Sequence, residues 1–312
     1  MPNKISRTLV IKNQGHLMFI KSILLHLRIP FSFLLMPVYV FALSISPNLL
    51  VSQLLWSFII IHLFVYPASN AFNSYFDKDE KSIGLLKNPP PVNIGLYYTA
   101  LFLDSLAVIL GYVKINLLFA LMLLIYILVS RAYSHPLIRL KKYPVGSWAI
   151  AGFFQGFFSF LMSYIGINKF ELENLERMPI LTAALLTSLV LWASYPMTQI
   201  YQHEEDTKHG DTTLSMKLGI RGTFYFAMIF FAIASVAFVL YFNTFYELRY
   251  GFAFLLVMAP VVLFFLYWFN KVWKDESQAN FSNTMWLNFI SALCLNGFFF
   301  WLFLQISHVG QF

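Results

Sequence analysis

Two short segments hold most of the side chains in this chain that could do chemistry. One reads Tyr66-Pro67-Ala68-Ser69-Asn70-Ala71-Phe72-Asn73-Ser74-Tyr75-Phe76-Asp77, the other Tyr195-Pro196-Met197-Thr198-Gln199-Ile200-Tyr201-Gln202-His203-Glu204-Glu205-Asp206, and each residue of the second lies 129 positions after its counterpart. Both run Tyr-Pro, a hydroxyl residue, an amide, a second amide three residues on, and an aspartate four beyond that. Residues at i, i+3 and i+7 share one face of a helix. The spacing therefore predicts that Asn70, Asn73 and Asp77 project together, and that Gln199, Gln202 and Asp206 do the same, with each proline kinking its helix a turn earlier. Simple end-capping would not repeat the whole pattern. The recurrence implies an internal duplication whose two polar stripes face one another across a single cavity.

The residue types specify what such a cavity would hold. Asp77 and Asp206, with Asp79, Glu80, Glu204, Glu205 and Asp211 close by, are hard oxygen donors, which suit Mg²⁺ shared with substrate phosphates. Cations interleave with them: Lys78, Lys81 and Lys208, and on another loop Arg139, Lys141 and Lys142. Carboxylate-bound metal plus ammonium is a means of gripping a diphosphate and neutralising it as it leaves. Aromatic residues make up 19% of the chain; some of them would line an isoprenoid tail and face a developing allylic cation. His135, His203 and His209 border the same loops without the spacing of a zinc site. Neither a nucleophile–His–acid set nor a glycine-rich phosphate loop is present.

The elements that must position these residues follow from composition. Hydrophobic residues make up 59% of the chain and charged residues 11%, against about 25% charged in a soluble domain. Apolar runs long enough to cross a bilayer lie near 23–44, 50–73, 94–112, 115–132, 146–166, 179–201, 222–243, 250–270 and 285–306. Backbone groups in lipid must bond internally, and no alternating strand pattern occurs, so the fold class is all-α: a polytopic bundle of nine spans. It reads as one membrane domain over 1–312, with pseudo-repeats centred on 50–145 and 179–284. Tyr112-Val113-Lys114 leaves room only for a tight hairpin between the third and fourth spans. The one cysteine, Cys294, excludes an internal disulfide framework, and the basic N-terminus has no cleavable signal pattern.

Orientation follows from charge. With the N-terminus inside, 17 of the 21 lysines and arginines fall on the N-terminal side and only Lys114, Lys169, Arg177 and Arg249 on the other. The positive-inside rule puts the N-terminus and the polar loops in the cytoplasm and the C-terminus opposite. The net charge of +7 is thus an insertion signal and calls for no nucleic-acid partner. Asp104 stands mid-span, where an acid is either functional or paired with a neighbouring helix. His62, Gln155, Asn288 and Asn296 are accounted for by interhelical hydrogen bonds.

At these residues the chain resembles a known family. Asn73-Ser-Tyr-Phe-Asp77-Lys-Asp-Glu-Lys-Ser-Ile-Gly84 is similar to the first Asp-rich motif of UbiA-type intramembrane prenyltransferases, Asn-Asp-x-x-Asp-x-x-x-Asp. The stretch from Gln199 through Asp206 to Thr213-Leu214 and Leu218-Gly219 is similar to the second, Asp-x-x-Asp-x-x-x-Asp followed by Thr-Leu…Leu-Gly. Between them, Tyr133-Ser134-His-Pro136…Leu140-Lys141-Lys142-Tyr-Pro144 matches the family's Tyr-Ser-x-Pro…Leu-Lys-x-x-Pro loop. The resemblance implies Mg²⁺-dependent transfer of a prenyl group from a prenyl diphosphate to an acceptor. It implies metal positions at Asn73, Asp77, Gln202 and Asp206, with Glu80 standing in for a missing acid. Diphosphate contacts are implied at Asn73, Gln199, Gln202, Lys81, Lys141, Arg139 and Tyr133, and catalytic roles for Asp77, Asp206 and Lys142. The sequence departs from the motifs in that Ser74, Lys81, Gln199 and Gln202 stand where the family has aspartates, so two of six acids remain. Such a site would bind its metal more weakly, or bind one ion instead of two. The rival reading is a transporter or non-catalytic lipid-binding protein on the same scaffold. Transporters place their charged sites near the midplane, whereas these acids cluster at one membrane face.

Overall fold

The computed structural model describes residues 18–307; Lys4, Arg7, Lys12 and both chain ends lie outside them. Among the described residues nine helices are long and apolar enough to cross a membrane. In chain order they are α1 (Met18–Ser44), α2 (Val51–Asp77), α3 (Ile94–Lys114), α4 (Leu117–Ser134), α5 (Pro144–Asn168), α6 (Met178–Gln199), α8 (Leu214–Phe245), α9 (Leu248–Lys274) and α10 (Phe281–Ile306), with a short helix α7 (His203–Lys208) between α6 and α8. The protein is an all-α, multi-pass integral membrane bundle. Its starts carry expected signals: Asn93 accepts from the Gly95 N–H, Asn116 from Phe119 and Asn280 from Asn283, each satisfying an otherwise orphaned donor.

Packing is largely aromatic. Phe41 stacks on Phe299 with centroids 4.3 Å apart, tying α1 to α10, and Phe238 stacks on Phe254 at the same distance, tying α8 to α9. Between α5 and α6 the backbones come close enough that a Cβ at Gly152 would fall 2.0 Å from the Trp192 indole. Two indoles seal that contact. Trp148 Nε1 donates to the Trp192 carbonyl at 2.9 Å, and Trp192 Nε1 donates to the Ala149 carbonyl at 3.2 Å.

The two Tyr-Pro segments fold differently, which corrects the symmetric expectation. In α2 a wide π-helical turn, Ile60–Val65, precedes Tyr66-Pro67, and the helix then runs unbroken to Asp77. Asn70, Asn73 and Asp77 therefore do share one helix. In α6, Pro196 has no N–H for the Trp192 carbonyl, which is the carbonyl that Trp148 fills. The helix stops at Gln199, Gln202 becomes the N-cap of α7, and Asp206 lies inside α7. Gln199, Gln202 and Asp206 thus belong to a helix end, a turn and a new helix, so they do not form one helical stripe.

Candidate active site

A single cavity of about 350 Å³ joins the two segments. Its mouth is polar, with Asn70, Asn73, Asp77 and Asp79 on one side and Gln199, Gln202, Asp206 and Asp211 on the other. Its interior is apolar and aromatic, lined among others by Leu34, Tyr126, Phe154, Leu191, Phe231 and Leu295.

Lys141 sits at the centre of the charged region. Its Nζ lies 2.8 Å from Asp77 Oδ1 and 3.1 Å from Asp211 Oδ2, and its side chain is only 12% exposed. Burial works against the ammonium, but Asp77 and Asp211 outweigh it and raise the pKa of Lys141. Arg139 grips Asp211 with two bonds, Nε to Oδ1 at 2.7 Å and Nη2 to Oδ2 at 2.8 Å, and reaches Asp77 at 3.5 Å. The two cations of the α4–α5 loop thereby link the end of α2 to the start of α8. To place them, the loop turns sharply: Arg139 itself holds φ 45°, in the left-handed region.

Asp77 is almost fully buried and also accepts from Asn73 Nδ2 at 2.6 Å, while the same amide nitrogen donates to Ser134 Oγ at 3.0 Å. Asn73 Oδ1 is left without a donor among the described residues. Asp206 is held differently. Burial pushes its carboxyl up to about 7, Lys141 opposes that shift, and Asp211, Asp79 and Asp77 add to it. Its Oδ2 is buried with no hydrogen-bond partner. Asp79 is raised to about 6, first by burial and then by Asp77. This concentration of carboxylates would be relieved by a further cation.

Of the assigned residues, Glu80, Lys81, Arg139 and Lys142 do not line this cavity, whereas Gln199 and Tyr133 do. The Glu80 side chain is 84% exposed and points to solvent beside Lys208; the neighbouring Asp79 lines the cavity in its stead. Lys142 is exposed, its Nζ 5.0 Å above the Tyr143 ring, and it is Lys141 that enters. Consecutive residues of a turn point in different directions, and the sequence does not say which of two adjacent lysines faces in. Lys81 is paired on the surface with Glu204. Gln199 is buried and its Oε1 accepts from the Ser215 N–H at 3.4 Å, so it braces the start of α8. Tyr133 shares its hydroxyl with that of Tyr195, bridging α4 and α6 inside the cavity.

Sequence reasoning also passed over one residue here. Arg28, counted only as an orientation charge, lines the cavity from α1 with a backbone φ of 45°. One of its nitrogens donates to the Asn70 carbonyl at 3.4 Å, and its Nε is buried without a partner among the described residues. The available signal was an arginine set within the apolar run Leu27-Arg28-Ile29-Pro30. Asp104 resolves as a structural pair. It meets Arg131, which lies in the last turn of α4 rather than in the loop, donates to the Ala68 carbonyl and covers the Phe72 ring at 4.0 Å.

Thr213 and Gly219, the ends of the second motif, have backbone duties. Thr213 caps α8 by accepting from Met216 N–H, and Gly219 adopts φ 71° where the helix kinks. The model of the UbiA prenyltransferase family matches residues 34–293. The chain belongs to that family. Three solved structures share its fold across nearly their whole length. A UbiA homologue from Archaeoglobus fulgidus bound to GPP and Mg²⁺ is 18% identical, with a TM-score of 0.65, covering 90% of this chain and 99% of that one. The same homologue bound to DMAPP and Mg²⁺ gives 18%, 0.66, 92% and 99%. A digeranylgeranylglyceryl phosphate synthase gives 20%, 0.58, 90% and 98%. No curated protein matches the chain. Asp77 and Asp206 come from the two recurring segments, and Asp79, Asp211 and Arg28 add charge around them in the same cavity.

Proposed function

We propose that the protein is an intramembrane prenyltransferase that moves a prenyl group from a prenyl diphosphate to an acceptor. The observation that carries this reading is the cavity itself, which joins Lys141 and four aspartates at a polar mouth to an apolar, aromatic-lined interior. Only a ligand with a multiply charged head and a hydrocarbon tail complements both ends. Family membership and the diphosphate–Mg²⁺ complexes of the A. fulgidus homologue support the same assignment.

The residues present fit a divalent ion: among the described residues Asp206 Oδ2 is buried and unpartnered and Asn73 Oδ1 has no donor. Asp77, Asp206, Asn73 and Gln202 would hold it. When bound, Mg²⁺ supplies charge neutralisation to the departing diphosphate. The amides at 73 and 202 bring oxygen without charge, so much of the remaining neutralisation falls to the chain's own cations. Lys141 is held in place by Asp77 and Asp211 and presents its ammonium to the diphosphate. The Arg139–Asp211 pair fixes the loop that carries it. Arg28 adds a guanidinium from the α1 side. The hydrogen-bonded Tyr133–Tyr195 pair lies between the polar and apolar parts, and the aromatic lining holds the tail and keeps water from an allylic cation. The prenyl C1–oxygen bond breaks with its electron pair leaving on diphosphate. An electron-rich atom of the acceptor bonds to C1 and releases its proton to solvent.

The test is purified protein in lipid nanodiscs with labelled prenyl diphosphates of several chain lengths. Mg²⁺-dependent diphosphate release with at least one chain length supports the reading. Binding of the diphosphates without release under any condition would overturn it in favour of a lipid-binding role.

A further inference from the structure

A second group of metal-capable side chains converges at the rim of the cavity, and none of them is among the described salt-bridge partners of Lys141. Asp79 follows the end of α2, Glu205 lies within α7 and His209 just beyond it; each offers one ligand atom, and these atoms lie within 4.8 Å of one another. Donors on bonds of about 2.1 Å stand about 3 to 3.5 Å apart around a divalent ion. Closing the set requires side-chain movement of about an ångström, with no rearrangement of helices.

Three features distinguish this set from an ordinary acidic surface. Asp79 lines the cavity, yet no described residue donates a hydrogen bond to its carboxylate, whereas Asp77 and Asp211 each hold both Lys141 and Arg139. Glu205 is 5% exposed, an unusual position for a glutamate on a helix of six residues, and it is turned toward the α2 side: its Oε2 accepts from the Glu80 N–H at 3.5 Å. The cation now beside it is Lys208 Nζ, 3.0 Å from Oε1 on a side chain 49% exposed, which is free to swing into solvent. The third feature is the imidazole, a donor that favours transition metals over Mg²⁺.

We propose that Asp79, Glu205 and His209 form a divalent transition-metal site, suited to Mn²⁺ or Zn²⁺, that is separate from the Asp77–Asp206 pair. Three protein ligands leave at least one coordination position open. Asp79 connects that position to the cavity, where an anionic oxygen would complete it. The ion would also tie the turn after α2 to α7 across the cavity mouth, adding to the exposed Lys81–Glu204 pair that already joins them. Binding of the ion itself does not depend on the transferase reading; only the identity of the completing anion as a diphosphate rests on it.

The experiment uses full-length protein in nanodiscs, stripped with chelator and titrated with Mn²⁺ alone, followed by pulsed EPR. Nitrogen coupling from one imidazole is expected in the wild type. It should vanish in His209→Ala, and affinity should fall about 10-fold or more in both His209→Ala and Glu205→Gln, the scale on which metal sites lose affinity when their surroundings are altered. His209→Asn serves as the second variant if the alanine protein is unstable. Asp206→Asn should keep the nitrogen coupling. Mn²⁺ bound without nitrogen coupling, or coupling that survives both His209 variants, would overturn the proposal. A wild type that shows the coupling but releases no diphosphate from any prenyl chain would leave this site standing and refute the transferase reading alone.

Discussion

Replacing Lys141 and Lys142 separately by methionine gives the sharpest contrast between adjacent residues. Lys141 Nζ stands 2.8 Å from Asp77 and 3.1 Å from Asp211 on a side chain 12% exposed. At an effective dielectric of about 20, each contact is worth roughly 5–6 kcal/mol of Coulomb energy, most of it offset by the cost of desolvating the ions. Removing one partner of a buried pair leaves a net loss of about 3–5 kcal/mol. Arg139 remains on both carboxylates, so the lower end, about 3 kcal/mol, is expected. Catalysis should fall as well: losing one preorganised donor at a developing charge costs about 10²–10³-fold in turnover. Lys142→Met removes an exposed group and should change stability by no more than about 0.5 kcal/mol. Thermal unfolding in nanodiscs reads the first quantity and diphosphate release the second. Equal effects of the two substitutions, or a Lys141→Met protein with wild-type turnover, would refute the assignment of the inward lysine.

Three more outcomes follow. Asp206 titrates near 7 and Asp79 near 6 instead of at the usual 3.8, so protons compete with cations there; apparent Mg²⁺ affinity should rise as pH increases from 5.5 to 7.5, level off above that, and rise less steeply in Asp206→Asn, as isothermal titration would show. Breaking the buried Asp104–Arg131 pair by Asp104→Leu or Arg131→Met should each cost about 3–5 kcal/mol of stability, while the double variant should regain most of it, because no unpaired charge is left in the membrane; thermal unfolding decides, and an additive loss would show that the pair is not the reason. With Cys294 replaced by serine, a cysteine at 172 should react with an impermeant external reagent and one at 80 should not, which tests the cytoplasmic placement of the site loops that the charge asymmetry predicts.

Much of the fold was legible because the membrane leaves few options. Apolar length alone places the nine spans. The first span nevertheless includes residues before the apolar run, since Lys21 sits within its described helix, Met18–Ser44. The recurrence of Tyr-Pro-x-hydroxyl-amide singled out residues that lie on both sides of one cavity. It failed on geometry in the second copy, where equal spacing hid a helix that ends at Gln199 and a new one that begins at His203. The same limit explains Lys141 against Lys142 and Asp79 against Glu80. A turn of one residue reverses which side chain faces inward, and only the folded backbone sets that turn. Arg28 was hidden for the opposite reason, because a charge near the start of a span is ordinarily read as topology alone.

The central claim is that two surviving acids suffice to run diphosphate chemistry in a motif that has lost four. It is tested most directly by single-turnover release of diphosphate from a labelled prenyl donor by wild type, Asp77→Asn, Asp206→Asn and Gln202→Asp at equal membrane abundance. The account predicts Mg²⁺-dependent release by the wild type. It predicts a loss of about 10²-fold or more in each aspartate variant, equivalent to about 3 kcal/mol of transition-state stabilisation, and equal or stronger Mg²⁺ dependence in Gln202→Asp. Release that is unchanged by both aspartate substitutions would contradict it.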